Sequence, residues 1–426
     1  MHMIVVHACT AVVARSRTAR QFTAATASQS CDSVLGMTGP LAGVRILDLT
    51  RLLPGSYGTS LLADLGADVI KVEQPEIGDY MRWLPPLLGD ESAYTWVLDR
   101  NKKSISLDLK QPAAKEALLR LVESADVFFE SFRPGVADRL GLGYETLKAI
   151  NPRLVYCSLS GYGQDGPLRL AVGHDLNYVG RAGLLSYMGT DDGRPVLPSL
   201  QIADVAAGSL YTVAGILAAL VRARTTGEGD YVDVAMTDGS FTLQAVHLGA
   251  FWATGEVPSS RSLVLNGRTP AYNLYECADG KWLTIGAVEE KFWDELCDAV
   301  GRPDLKPTHQ DEAAIPVWRE LFRARTRDEW VTLLAGRDVC AGPVHDLAEA
   351  CADPQLGGRG LVVEQAHPTL GPLRQLGNPI RLREHPATIR TPCPRIGEHT
   401  RETLAAAGFA DAEIAALLAS GAAAQA

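Results

Sequence analysis

From Leu41 onward, short apolar runs alternate with segments whose apolar positions repeat at helical spacing. Val44-Arg-Ile-Leu-Asp-Leu49 reads as a buried strand, and Pro54 suits the first turn of a helix with Leu61, Leu62 and Leu65 on one face. Gly66 ends that helix, and Ala67–Glu73 reads as a second strand. The same alternation predicts strands over 104–109, 126–130 and 153–159, with helices over 113–124 and 144–150 between them. Such βα units demand parallel strands and right-handed crossovers, so the expected fold class is α/β with a doubly wound sheet. Ligands are then expected at the carboxyl ends of the strands.

A further strand is predicted at Tyr231–Ala235, followed by one long helix from Thr237 to about Thr254 and a turn-rich loop from Pro258 to Pro270. Residues 271–335 mix strand and helix patterns and read as a smaller α+β domain. The tail, 336–426, reads as extended Pro/Gly-rich segments and one last helix over 401–418, returning to the large domain. The expected organisation is therefore a flexible extension at 1–38, a large domain at 39–235, a linker at 236–270, a small domain at 271–335 and the return segment. The large domain is discontinuous in this reading.

Composition narrows the function. Fifty acidic against 40 basic residues give a net charge of −10, which argues against nucleic acid as a partner. The longest uncharged run, Val205–Val221, holds Gly208, Ser209, Tyr211, Thr212 and Gly215. It reads as a buried helix rather than a membrane span. The eight cysteines include no CxxC pair and no zinc-type spacing with histidine, so they are expected as reduced thiols in a cytoplasmic protein that binds no metal. Residues 1–36 carry Arg15, Arg17 and Arg20 but only one acid, Asp32, a composition shared by cleaved transit peptides and by upstream stretches of little structural consequence; the absence of a secretory cleavage pattern favours the second. Met37 is the expected start of the folded unit.

The first βα turn, Pro54-Gly-Ser-Tyr-Gly58, has only a GxxG. Without the full glycine fingerprint, Glu73 does not make an NAD site. Basic residues at Arg100, Lys102, Lys103, Lys110, Arg133 and Arg139 fall near predicted strand ends. Several cations at one crevice of an acidic chain suit a phosphorylated nucleotide such as coenzyme A. Gly173-His-Asp-Leu-Asn-Tyr178 places His174 beside Asp175, a base with a candidate orienting partner or a helix start. Asp204 precedes the long apolar run, where a carboxylate serves as a helix N-cap and stays ionised as a base or nucleophile would. Glu289, in Gly286-Ala-Val-Glu289, reads as a first-turn helix acid.

Together these segments resemble the family III coenzyme A transferases, of the CaiB/BaiF type. They are Leu61–Glu73, Ser131–Val136, Arg139–Gly143, Leu159–Gln164, Gly173–Tyr178, Ala203-Asp204 and Tyr275–Gly280, in that order. Within the family the sequence is most similar to the α-methylacyl-CoA racemase branch, through His174, Asp175, Asp204 and Glu289. The resemblance implies a Rossmann-like large domain joined to the small domain by long linkers, in an interlocked homodimer. It also implies an acyl-CoA thioester as substrate.

The expected reaction on this resemblance is racemisation of a 2-methylacyl-CoA by proton transfer at the carbon α to the thioester. His174 and Asp204 would serve opposite faces of that carbon, and Asp175 and Glu289 would tune His174. Backbone N–H groups at the helix start near Asp204 would stabilise the enolate. Leu107, Asp108, Leu109, Lys110, Arg133, Arg139, Gly173, Asn177 and Tyr178 would hold coenzyme A. The alternative is CoA transfer between carboxylic acids, with Asp204 as the nucleophile that forms a mixed anhydride and then an enzyme thioester.

Overall fold

The structure, a computed structural model, describes residues 39–190 and 192–426. The expected extension at 1–38, with Cys9 and Cys31, lies outside the described residues. Six parallel strands form the main sheet: β1 (Arg45–Leu49), β2 (Asp68–Glu73), β3 (Lys102–Leu107), β4 (Val127–Glu130), β5 (Val155–Ser160) and β6 (Tyr231–Ala235). Their order is β3-β2-β1-β4-β5-β6, the doubly wound arrangement that reverses direction between β1 and β4. A two-residue strand, Ala423–Ala424, adds antiparallel to the β3 edge.

Alternation along β1 explains the two layers. Ile46 faces one side with Val69, Val127 and Cys157, under the first helix (Leu52–Asp64) and the long helix Leu210–Thr226. Leu47 faces the other side with Ile70, Ile105 and Phe128, under the helices Pro112–Val122 and Asp411–Ala419. Ile46 and Leu47 are both fully buried, so a one-residue slip of this strand would exchange the two cores. The helical segment Ile202–Thr226 is apolar and long enough to cross a membrane by length and composition. Here Val213, Ile216, Leu220 and Ala223 bury one of its faces in the core.

The basic run after residue 99 has a different role from the one expected. Arg100 pairs with Asp64 at 2.6 Å, and Lys102 with Asp99 at 2.6 Å. Lys71 pairs with Asp79 at 3.0 Å, and all six side chains are almost wholly buried. Burial pushes the Asp99 carboxyl up, but Lys102 and Lys71 outweigh it and hold the group well below the usual carboxylate range. Arg100 and Lys102 are thus spent on internal charge pairs, and Lys103 lies against Asp68 at 3.3 Å. Glu73 is likewise committed, to Arg82 at 2.7 Å and the Ser104 hydroxyl at 2.6 Å.

Residues 272–343 build a three-stranded antiparallel sheet from β7 (Tyr272–Glu276), β8 (Trp282–Gly286) and β9 (Ala341–Pro343), with β8 central. Tyr275, Trp293, Trp318, Phe322 and Trp330 fill its core. The third strand lies beyond residue 335, where the small domain was expected to end. Two helices expected as single are broken. Met236–Thr242 and Ala245–Thr254 are separated at Gln244, whose amide donates to Ala182 O and Ser240 O. Thr400–Ala406 and Asp411–Ala419 are separated by Gly408, which has φ +81°.

Candidate active site

An open cleft lies at the carboxyl ends of four strands. Thr50 and Arg51 follow β1, Gln74 follows β2, Leu107–Lys110 end and follow β3, and Phe132 follows β4. This is the strand switch point, where doubly wound sheets bind ligands. Leu107, Asp108, Leu109 and Lys110 are therefore placed together, with Lys110 exposed at the rim. Arg51 stands with them and was missed by the sequence reading. Its position directly after the first strand is the signal that would have found it.

The β1 turn is held in an unusual conformation. Leu52 has φ +63°, a left-handed value that costs a branched residue on the order of 1–3 kcal/mol. Its N–H donates to both carboxylate oxygens of buried Asp79, at 3.1 and 3.0 Å. Asp79 in turn meets Lys71. The adjacent Arg51 N–H donates to Ser131 Oγ at 3.1 Å, joining the turns after β1 and β4.

Asp204 lies inside a stretch of π-helix, Ile202–Ser209, rather than at an N-cap; the cap position is Gln201. Wide turns of this kind often occur at functional sites. Ser209 Oγ lies within hydrogen-bond distance of Asp204 O, at 2.9 Å, and of Pro54 O, at 2.6 Å. That hydroxyl ties the Asp204 segment to the start of the helix that leaves the cleft.

His174 and Asp204 are thirty positions apart, but their segments touch. The Asp204 N–H donates to Asp175 Oδ1 at 3.0 Å. Burial first, and the Asp175 carboxylate second, push the Asp204 carboxyl up to about 6. The backbone donors expected to stabilise charge here are already used: Asp204 N–H by Asp175 and Val205 N–H by Gln201 O. His174 is exposed at the start of the helix Asp175–Arg181, and its own N–H donates to Asn177 Oδ1 at 3.0 Å.

Other residues expected at the coenzyme hold this loop. The Tyr178 hydroxyl donates to Gly173 O, and its ring occupies the space a Cβ would need at Gly161 or Gly173, at 2.4 and 2.8 Å. Burial pushes the Tyr178 phenol up to about 12, against the pull of nearby Arg133. Arg133 and Arg139 are both exposed, and Arg139 ends a short helix beside Leu140 of the cleft wall. Glu289 is elsewhere. It is exposed at the cap position of the helix Glu290–Ala299, close enough to Cys340 to raise that thiol's pKa. Among the described residues no hydrogen bond or ion pair joins Glu289 to His174, Asp175 or Asp204. No cluster of three or more metal-ligating side chains occurs among the described residues either.

A separate small polar pocket is lined by Glu130, Arg133, Ser158 and Tyr231. The Ser158 hydroxyl donates to buried Glu130, and the Tyr231 hydroxyl donates to Ser158 at 3.1 Å. Burial pushes Glu130 up to about 7, even though Ser158 and the Phe132 N–H favour its charged form.

Comparisons with known proteins show what the chain as a whole is similar to. Human succinyl-CoA:glutarate CoA-transferase is 34% identical over 376 residues, covering 86% of this chain and 85% of that protein. Formyl-CoA:oxalate CoA-transferase of Rhodopseudomonas palustris (strain BisA53) is 35% identical over 420 residues, 91% of this chain and 98% of that protein. The crystal structure of a CaiB/BaiF family protein from Brucella suis superposes with a TM-score of 0.77 at 32% identity, covering 87% of this chain and 100% of that one. Residues 41–400 match the family model of CoA-transferase family III. The chain belongs to CoA-transferase family III and is an enzyme of that family, as its sequence resemblance implied.

Proposed function

We propose that the protein moves coenzyme A between two carboxylic acids, with Asp204 as the covalent nucleophile. The observation that carries this reading is the partly buried Asp204 carboxylate, set in a π-helix tied through Ser209 to the first helix and raised in pKa by burial and by Asp175. The names of several relatives supply its context: they are CoA-transferases acting between succinate and glutarate or between formate and oxalate.

Asp204 attacks the thioester carbonyl of the donor, and the CoA thiolate leaves. The product is a mixed anhydride of Asp204 and the donor acid. The thiolate then attacks the Asp204 carbonyl, releasing the donor carboxylate and leaving CoA as a thioester on Asp204. The acceptor carboxylate attacks that thioester, expelling the CoA thiolate and forming a second anhydride with Asp204. Thiolate attack on the acceptor's carbonyl yields the new acyl-CoA and regenerates Asp204. A raised pKa makes Asp204 the more nucleophilic once ionised, and Asp175 fixes its backbone. Lys110, Arg133, Arg139 and Arg51 supply positive charge for the coenzyme's phosphates.

The functional unit in this reading is a homodimer. The helix Ala245–Thr254 has no buried residue, and Val246 and Trp252 are 76% and 71% exposed on it. A face of that kind calls for a partner surface. A second copy would also be the source of Glu289 if that residue joins the site.

Racemisation keeps one specific supporting feature, the exposed His174 beside Asp175. The two readings separate in parallel incubations in D₂O, one with succinyl-CoA and glutarate and one with a 2-methylacyl-CoA. Transfer predicts glutaryl-CoA without deuterium at the α-carbon. Racemisation predicts deuterium entry into a 2-methylacyl-CoA without exchange of CoA.

A further inference from the structure

Glu130 takes no part in the transfer steps, yet it ends β4 two residues before Phe132 of the cleft wall. Its side chain is buried, and both carboxylate oxygens are engaged. Oε2 accepts the Phe132 N–H at 2.6 Å. Oε1 accepts from the Ser158 hydroxyl, which in turn accepts from the Tyr231 hydroxyl at 3.1 Å. Glu130 and Ser158 are register partners on adjacent strands, and Tyr231 opens the next, so this chain of hydrogen bonds crosses β4, β5 and β6. The segment after β4 is tied in two further places. Ser131 Oγ accepts the Arg51 N–H, and the Val136 N–H closes a turn on Arg133 O at 3.0 Å. Of the three ties, only the one to Glu130 depends on an ionisable group.

We infer that Glu130 is a positioning residue for coenzyme binding: its carboxylate holds the segment that presents Phe132 to the cleft and carries Arg133. The inference rests on the reading that this cleft takes coenzyme A, and not on the chemistry at Asp204. A proton on Glu130 turns an acceptor oxygen into a donor, so either the Phe132 N–H or the Ser158 hydroxyl loses its acceptor. That change falls near neutrality. Burial pushes Glu130 up to about 7, and Asp138 and Asp233 add to the push. Arg133 is the cation that lines the same pocket. The Tyr156 and Tyr231 phenols and the Cys157 thiol also face Glu130, and burial pushes all three above their ordinary values, so they stay neutral across this range.

Titration calorimetry of the full chain with coenzyme A between pH 6 and pH 8 tests it. Glu130→Gln keeps an oxygen for the Phe132 N–H but does not titrate, so at pH 8 it should bind as the wild type does. The coenzyme's own phosphates titrate alike against both proteins. From pH 8 to pH 6 the wild type should lose roughly fivefold in affinity beyond any loss in Glu130→Gln, as expected where the protonated form binds about tenfold more weakly. Ser158→Ala removes a hydrogen bond that favours the charged form of Glu130, so its affinity should begin to fall at a higher pH than in the wild type. Parallel pH curves for the wild type and Glu130→Gln, or an unmoved midpoint in Ser158→Ala, overturn the inference while leaving coenzyme A in the cleft. The expected curves in a protein that forms no CoA adduct at Asp204 would support the inference and sink the transfer reading instead.

Discussion

Asp175 accepts a hydrogen bond from the backbone N–H of Asp204 at 3.0 Å, which brings together two acidic residues 29 positions apart. This contact fixes the nucleophile's backbone and, through like-charge repulsion added to burial, raises its pKa to about 6. One residue thereby fixes the backbone of another and adds to the effect of burial on its protonation.

The pH profile should report this. Transfer requires ionised Asp204, so kcat/KM should fall as pH drops through about 6. Asp175→Asn keeps an acceptor for the N–H but removes the negative charge. Its acidic limb should move to lower pH, by up to about one unit. An acidic limb that stays in place in Asp175→Asn contradicts the electrostatic link.

Asp204 should also cost stability. Its pKa is raised on folding, so the folded state prefers the protonated form; stability is greatest below the unfolded pKa of 3.8 and declines as pH rises through about 6. Asp204→Asn should therefore be inactive yet more stable than the wild type at pH 8, by roughly 1–2 kcal/mol after allowing for solvent exposure. The gain should vanish near pH 4. Urea unfolding at both pH values measures it, and a variant less stable at pH 8 would refute the prediction.

The internal charge pairs make a separate prediction. Arg100→Met leaves Asp64 buried without its 2.6 Å partner. Removing one member of a buried pair typically costs about 3–5 kcal/mol. Burial already raises the Asp64 pKa despite Arg100, so the loss should be smaller at pH 5 than at pH 8, where the stranded carboxylate must ionise. Denaturant unfolding at the two pH values distinguishes this from a plain packing defect.

Asp79 is expected to position the coenzyme cleft. In Asp79→Ala the Leu52 N–H loses its acceptor and the left-handed turn has nothing to hold it. The KM for acyl-CoA should rise on the order of tenfold, with a smaller change in kcat. Asp79→Asn, which retains an oxygen acceptor, should recover part of the loss. Equal effects of the two variants on kcat and KM would show that Asp79 acts only through folding.

Much of the large domain was legible because its strands are buried on both faces and separated by amphipathic helices. Val127–Glu130 and Tyr144–Ile150 fall within a residue of expectation for that reason. The strand Ala423–Ala424 was not legible: two alanines carry no strand pattern, and only pairing with Ser106 and Leu107 defines them. The break at Gln244 depends on an acceptor, Ala182 O, 62 positions away. At the site, the Leu107–Lys110 strand end could be read from local spacing, whereas the contact of Asp175 with Asp204 and the π-helix around Asp204 are products of tertiary packing. The cations at 100–103 misled because charge near a strand end does not reveal whether it faces a ligand or a buried acid.

The covalent state of Asp204 tests the central claim most directly. After incubation with succinyl-CoA alone and rapid acid quench, peptide mass spectrometry should find CoA as a thioester on the peptide that contains Asp204. Hydroxylamine should convert that residue to a hydroxamate, and Asp204→Asn should show neither product. An unmodified Asp204 in a protein that still exchanges CoA between acids would contradict the account.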